Sequence, residues 1–190
     1  MSEAGHAESS EVRVRRAPTA ELTTSDLRAI RELLWAAFTA DGDGMTEDDW
    51  QHGLGGMHFL LDLQGAITSH ASVVERDIHI GDRAFRTGYV EAVATAPIRQ
   101  GRGLGSRVIA DVTSYIRETF ELGALGTGRH RFYERVGWLT ARGRSYPRTP
   151  EGLRPTPDED GYILLLPTSA APDLDLTAPI SCDWRPGDVW

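Results

Sequence analysis

The chain has no lysine: all twenty basic side chains are arginine. It has one cysteine, Cys182, so an internal disulfide is excluded, and the default compartment is the cytoplasm. No apolar run approaches the ~18–20 residues that a membrane span needs. Its polar, acidic start (MSEAGHAESSE) lacks the apolar stretch of a signal peptide, and residues 1–10 read as a disordered leader. Basic excess is missing too, since a net charge of −8 argues against a nucleic-acid partner. The six histidines show no H-x-x-x-H spacing and there is no C-x-x-C, so no metal site is expected.

What is present is an ordinary globular composition, 40% hydrophobic and 25% charged, in a chain long enough for one well-buried domain. Its acids are unevenly placed. Asp41, Asp43, Glu47, Asp48 and Asp49 form one cluster and Asp158-Glu159-Asp160 another. They read either as solvated loops or as a pocket for a polycation. Arg99, Arg102, Arg107, Arg129, His130 and Arg131 gather around a glycine-rich stretch. Such a balance suits one anionic and one cationic substrate.

Val12-Arg13-Val14 reads as a short strand. Ser25 to Phe38 carries apolar residues at helical spacing, with Thr24 or Ser25 as N-cap. A helical turn is expected near Trp50. Strands follow at Met57–Leu61, Ala66–Glu75, Ile78–Ile80 and Gly88–Thr95, with a turn at Leu63-Gln64-Gly65. Leu104, Val108, Val112 and Ile116 stripe a helix over 104–120. Short elements are expected at 122–125 (strand), 130–136 (helix, ended by Gly137) and 162–166 (strand). The tail 167–190 reads as linker or lid. The order gives an α+β class, a domain over 11–166 and a C-terminal extension.

The glycine-rich stretch is Arg99-Gln100-Gly101-Arg102-Gly103-Leu104-Gly105-Ser106-Arg107, between a strand and a helix. Strand, glycine turn and helix in that order make an anion cradle, where close backbone N–H groups and the helix dipole meet a phosphate. A P-loop would require lysine and is excluded. G-x-G-x-x-G also fails, because the third position falls on Ser106 or Val108. Gln100, Gly103 and Gly105 instead satisfy Q-x-x-G-x-G, which resembles the coenzyme A loop of the GCN5-related N-acetyltransferases (GNAT).

Further matches extend the resemblance. Gly88-Tyr89-Val90-Glu91 leads into the loop, and Phe132-Tyr133 with Gly137-Trp138 resembles the family's F-Y-x-x-x-G-W helix. His52–His58 (HGLGGMH), after Asp49-Trp50, and the C-terminal CDWRPGDVW are similar to the aminoglycoside 2′-N-acetyltransferases. The resemblance runs from about Val12 to Trp190. It implies a GNAT fold, a central mixed, mostly antiparallel sheet flanked by helices, and a homodimer. The co-substrate would be acetyl coenzyme A. Its implied contacts are Val93, Ala94 and Thr95 on the strand, Gln100, Gly101, Arg102, Gly103, Leu104, Gly105 and Ser106 in the loop, and Gly126.

For the acceptor, the resemblance implies Asp49, Glu91, Ala92, Asp158, Glu159 and the carboxylate of Trp190. It also implies an acid in the loop before Met45. Counting back from Trp50 places Gly44 there, so Asp43 or Asp41 would substitute. An attacking amine must be unprotonated, although its pKa is about 10, so a carboxylate has to take the proton. Glu91, on the strand expected to present the thioester, is the candidate base, acting directly or through one water, and the resemblance implies the water-relayed role. The alternative is an exposed strand carboxylate without a chemical part. The leaving thiolate, with a pKa of about 8.5, takes a proton from Tyr133, unless that ring only packs. A covalent route through Cys182 lacks an activating partner. Another amine acceptor, such as a polyamine, metabolite or peptide N-terminus, and a non-catalytic coenzyme A-binding protein are the competing readings.

Overall fold

The computed structural model describes residues 13–42 and 44–190. The expectations for the leader, Val12 and Asp43 fall outside them.

Strand β1 (Val14–Pro18) pairs with β2 (Met57–Leu63), and β2 turns through Gln64-Gly65 into β3 (Ala66–Ile80). Helices α1 (Thr24–Asp41) and α2 (Glu47–His52) lie between β1 and β2. Both open on capping boxes. Thr23, one residue before the expected cap, exchanges bonds with Asp26, and Thr46 does so with Asp49. Each satisfies N–H groups that the first helical turn would leave bare.

Ala66–Glu75 and Ile78–Ile80, expected as separate strands, are one. The exposed Glu75 and polar Arg76-Asp77 interrupt the apolar alternation, but β4 (Arg83–Thr95) supplies an unbroken partner there. Then come α3 (Leu104–Thr119), β5 (Leu122–Gly126) and α4 (His130–Glu134), the last shorter than expected. Gly137 does adopt the left-handed conformation, with φ 96°. The chain finishes with β6 (Leu139–Thr140), β7 (Ser145–Thr149), β8 (Gly152–Leu153), β9 (Ile163–Pro167) and β10 (Ile180–Asp183).

All ten strands form one sheet, ordered β6-β9-β5-β4-β3-β10-β7-β8, with β2 and β1 branching from β3. Only β4–β5 and β7–β10 are parallel. This is the expected mixed, mostly antiparallel α+β sheet. The tail is neither linker nor lid, because β10 inserts between β3 and β7.

Alternation on β2 shows how the two faces are filled. Phe59 and Leu61 pack beneath α3, while Leu60 packs beneath α1. Helix α3 covers its face with Val108, Val112 and Ile116, all fully buried. Gly88 and Gly123 are paired across β4 and β5, and Ile116 crosses above them. A Cβ at either would stand 3.0–3.1 Å from Ile116. The opposite face is shared between α1 and the C-terminal segment, which contributes Leu174, Leu176, Val189 and Trp190.

Candidate active site

Two irregularities of β4 make the site. Its parallel pairing with β5 ends at Tyr89–Ala124, although the strands run on to Thr95 and Gly126. The strands splay beyond that pair. Against β3, Ser72 faces Glu91 while His70 faces Ala94, so β4 carries one extra residue there. This is a β-bulge, and Ala92 within it has φ 52°, a left-handed conformation rare for residues with a Cβ. A cleft of about 1060 Å³ opens along the splay.

One end of the cleft is built for an anion. Gly101, Gly103, Leu104, Gly105 and Ser106 line it, with Gln100 tied to the Thr95 carbonyl at 3.3 Å. Gly101 and Gly103 have φ of 74° and 75°. A Cβ on Gly105 would stand 3.0 Å from Thr95 Oγ1. Unlike α1 and α2, α3 starts with no side-chain cap and no acid in its first turn. Its positive dipole end is therefore open to an anion. Arg99 and Arg129 line this end, whereas Arg102, Arg107, His130 and Arg131 do not.

The other end is acidic. Asp49, Glu91, Glu159 and Asp188 line it together with Trp190; Asp158 does not. Asp160 lies outside the lining and accepts from Ser145 N–H and Oγ at 2.8 and 2.9 Å, so that acid serves structure. Asp49 spends Oδ2 on Thr46. Glu91 is no exposed strand carboxylate: its side chain is 14% exposed and meets Arg185 at 2.7 Å. Burial pushes the Glu91 carboxyl up, opposed by the guanidinium groups of Arg185 and Arg76. Glu159 is likewise raised by burial and by the neighbouring Asp188 and Asp158.

The C-terminal residues are strapped into place. Arg76 donates to the carbonyls of Val189 and Asp183 at 2.9 and 3.2 Å, and Arg185 Nε to that of Asp188 at 2.9 Å. Trp190 is buried, and its indole donates to Thr156 Oγ1 at 3.2 Å. The carbon and an oxygen of its carboxylate lie 3.2 and 3.3 Å from where a Cβ of Gly126 would stand. Val93, Ala94, Thr95 and Gly126 all line the cleft. Ala92 lines it as well, with its carbonyl accepting from His70 at 2.8 Å.

Tyr133 reaches the cleft from α4, held edge-on by Phe132 and Trp138. Burial raises its pKa, so the phenol keeps its proton at neutral pH. Cys182 lies outside the cleft lining, with its thiol pushed up to about 11 by burial. Sequence reasoning passed over Arg185 and Asp188, although CDWRPGDVW contains both. It also passed over Tyr89, whose buried hydroxyl has no partner among the described residues.

Residues 19–141 match the family model described as an acetyltransferase (GNAT) domain. An aminoglycoside 2′-N-acetyltransferase from Mycolicibacterium fortuitum is 39% identical over 177 residues, covering 90% of this chain and 89% of that protein. Among solved structures, the Escherichia coli GNAT protein YhbS in complex with CoA superposes with a TM-score of 0.63 at 14% identity. That match covers 93% of this chain and 95% of YhbS. A Brucella melitensis GNAT acetyltransferase in complex with acetyl-CoA gives 0.59 at 16%, covering 93% and 98%. Glycine loop, family model and sequence relationship agree: this chain belongs to the GNAT acetyltransferases and shares a family with the M. fortuitum enzyme.

Proposed function

We propose that the protein moves the acetyl group of acetyl coenzyme A to the 2′-amino group of aminoglycosides. One observation carries this reading. A single cleft joins an uncapped helix N-terminus behind a glycine loop to the carboxylates of Asp49, Glu91, Glu159 and Asp188. The first suits a pyrophosphate, the second a rigid polyamine whose ammonium groups each find an acid. The name of the M. fortuitum relative supports the acceptor class.

The loop residues Gln100, Gly101 and Gly103–Ser106 would hold the pyrophosphate, and the bulged segment Val93–Thr95 the arm that carries the thioester. Glu91 takes a proton from the bound ammonium through a water. The free amine then attacks the thioester carbonyl; a C–N bond forms and the C–S bond breaks. Tyr133 gives its proton to the departing sulfur, and the second proton shed by the acylated nitrogen restores the Tyr133 phenol through solvent. A carboxyl raised by burial is a stronger base than a free one, which helps deprotonate an amine with a pKa of about 10.

The test is thiol release from acetyl coenzyme A with tobramycin or gentamicin, with the product's acetyl position read by NMR. Acetylation at the 2′-nitrogen is expected. Kanamycin A, which has a 2′-hydroxyl, should gain no acetyl group there. Turnover of spermidine or a peptide N-terminus alone would replace aminoglycosides as the acceptor.

A further inference from the structure

We propose that His58 and His70 are positioning residues for acetyl transfer, forming a one-directional hydrogen-bond chain from Thr19 to the Ala92 carbonyl that holds the β4 bulge. The inference rests on the acetyl-transfer reading, though not on the identity of the acceptor.

The direction of the chain follows from its end. A carbonyl only accepts, so His70 Nδ1, 2.8 Å from Ala92 O, must carry the proton. In a neutral ring Nε2 is then an acceptor, and the atom facing it at 2.9 Å is His58 Nδ1, which must donate. His58 Nε2 is left to accept from Thr19 Oγ1 at 2.8 Å, the shorter of that hydroxyl's two contacts to acceptors. Thr19 Oγ1 in turn accepts from Gly55 N–H at 2.8 Å. Every ring nitrogen is used once, and both rings are Nδ1–H tautomers. A second proton on His70 would set two N–H groups against each other. Both histidines are 1% exposed, where neither ring can turn to water instead.

The HGLGGMH segment is the mounting for this chain. Gly56 lies flat on β3, where a Cβ would come within 2.0 Å of the Val73 carbonyl oxygen. That close approach brings the Gly56 carbonyl onto Thr19 N–H at 2.9 Å, and β2 then carries His58 under His70. At the far end stands Ala92, strained at φ 52° between Glu91, the proposed base, and Val93–Thr95. A strained residue persists only where its surroundings over-determine it, and here the fixed atom is its own carbonyl oxygen. Apolar side chains would fill the two buried positions without needing partners. The polar chain instead ends on the carbonyl of the bulge residue that lies between Glu91 and Val93.

Two measurements test this. Long-range ¹⁵N spectra of the intact protein at pH 7 should show both buried rings as neutral Nδ1–H tautomers. An Nε2–H signal from either ring overturns the chain, whatever the enzyme acetylates. In steady-state kinetics, His70→Leu should lower kcat by about tenfold or more, since small misplacements at a reacting centre cost up to about 100-fold, while KM for acetyl coenzyme A stays within about threefold. His70→Asn, whose amide can donate from the Nδ1 position, should recover most of kcat. A folded His70→Leu enzyme with wild-type kcat, or an Asn variant no better than Leu, refutes the positioning role. Failure with aminoglycosides would leave the tautomers untouched, so the two readings fail separately.

Discussion

Arg185 Nη2 lies 2.7 Å from Glu91 Oε1, with the two side chains only 16% and 14% exposed. The alignment is that of an ion pair rather than a well-directed hydrogen bond. Its effect is to oppose the upward push of burial on the Glu91 carboxyl, with Arg76 helping and Asp188 adding to the rise. Removing the guanidinium by Arg185→Gln should raise the Glu91 carboxyl further. A base works only when ionised, so the acid limb of the kcat/KM profile should move to higher pH. Glu91→Gln should lower kcat at neutral pH by about 100-fold or more. A profile unmoved by Arg185→Gln would dissociate the pair from catalysis.

Acid should destabilise the fold through the two buried histidines. Burial lowers His58 to about 4 and His70 to about 3. Above about pH 6.5 the rings are neutral in both folded and unfolded chains. Below it the unfolded chain binds protons that the folded one refuses, so stability falls until the folded pKa values are reached. From pH 6.5 to 5 the loss should be about 2 kcal/mol per ring. Urea midpoints at the two pH values measure it, and an unchanged midpoint would show that the rings are not buried as described.

Thr46 and Asp49 should separate stability from binding. Both belong to the cap of α2, but only Asp49 lines the cleft. Thr46→Ala should cost about 1 kcal/mol in thermal or urea unfolding and leave the acceptor KM near wild type. Asp49→Asn keeps a capping side chain and loses the charge. It should raise KM for a cationic acceptor about fivefold, the equivalent of about 1 kcal/mol.

Gly126→Ala should act on the acceptor half alone. Its new methyl would press on the Trp190 carboxylate at 3.2–3.3 Å and disturb the seat of the C-terminal residues. KM for the amine should rise several-fold with KM for acetyl coenzyme A unchanged. An equal rise in both would mean that Gly126 serves the coenzyme.

Features written in neighbouring residues were legible before the structure. The Gln100–Gly105 loop, the α3 stripe and the strand carrying Glu91 all depend on local spacing. Elements held by distant partners were not. Pro147 reads against a strand, yet β7 forms because β10 pairs along it. Arg76-Asp77 reads as a break, yet β4 carries β3 through it. Within the site, Tyr133 and Glu91 could be named from motifs. Arg185 could not, because its partner is a strand residue far earlier in the chain. His58 reads from sequence as a structural or substrate-facing polar residue, and His70 carries no motif. Only the β2–β3 register, which stacks them, reveals their use.

The place of β10 sets an order of assembly. By Pro167 a growing chain has emitted the glycine loop, α3, β4 and β5, which carry the anion end of the cleft. The β7–β8 hairpin, Arg185, Asp188 and Trp190 have no seat until Ile180–Asp183 slot against β3. The glycine-loop end of the cleft can thus be complete while Arg185, Asp188 and Trp190 are still absent from its acidic end.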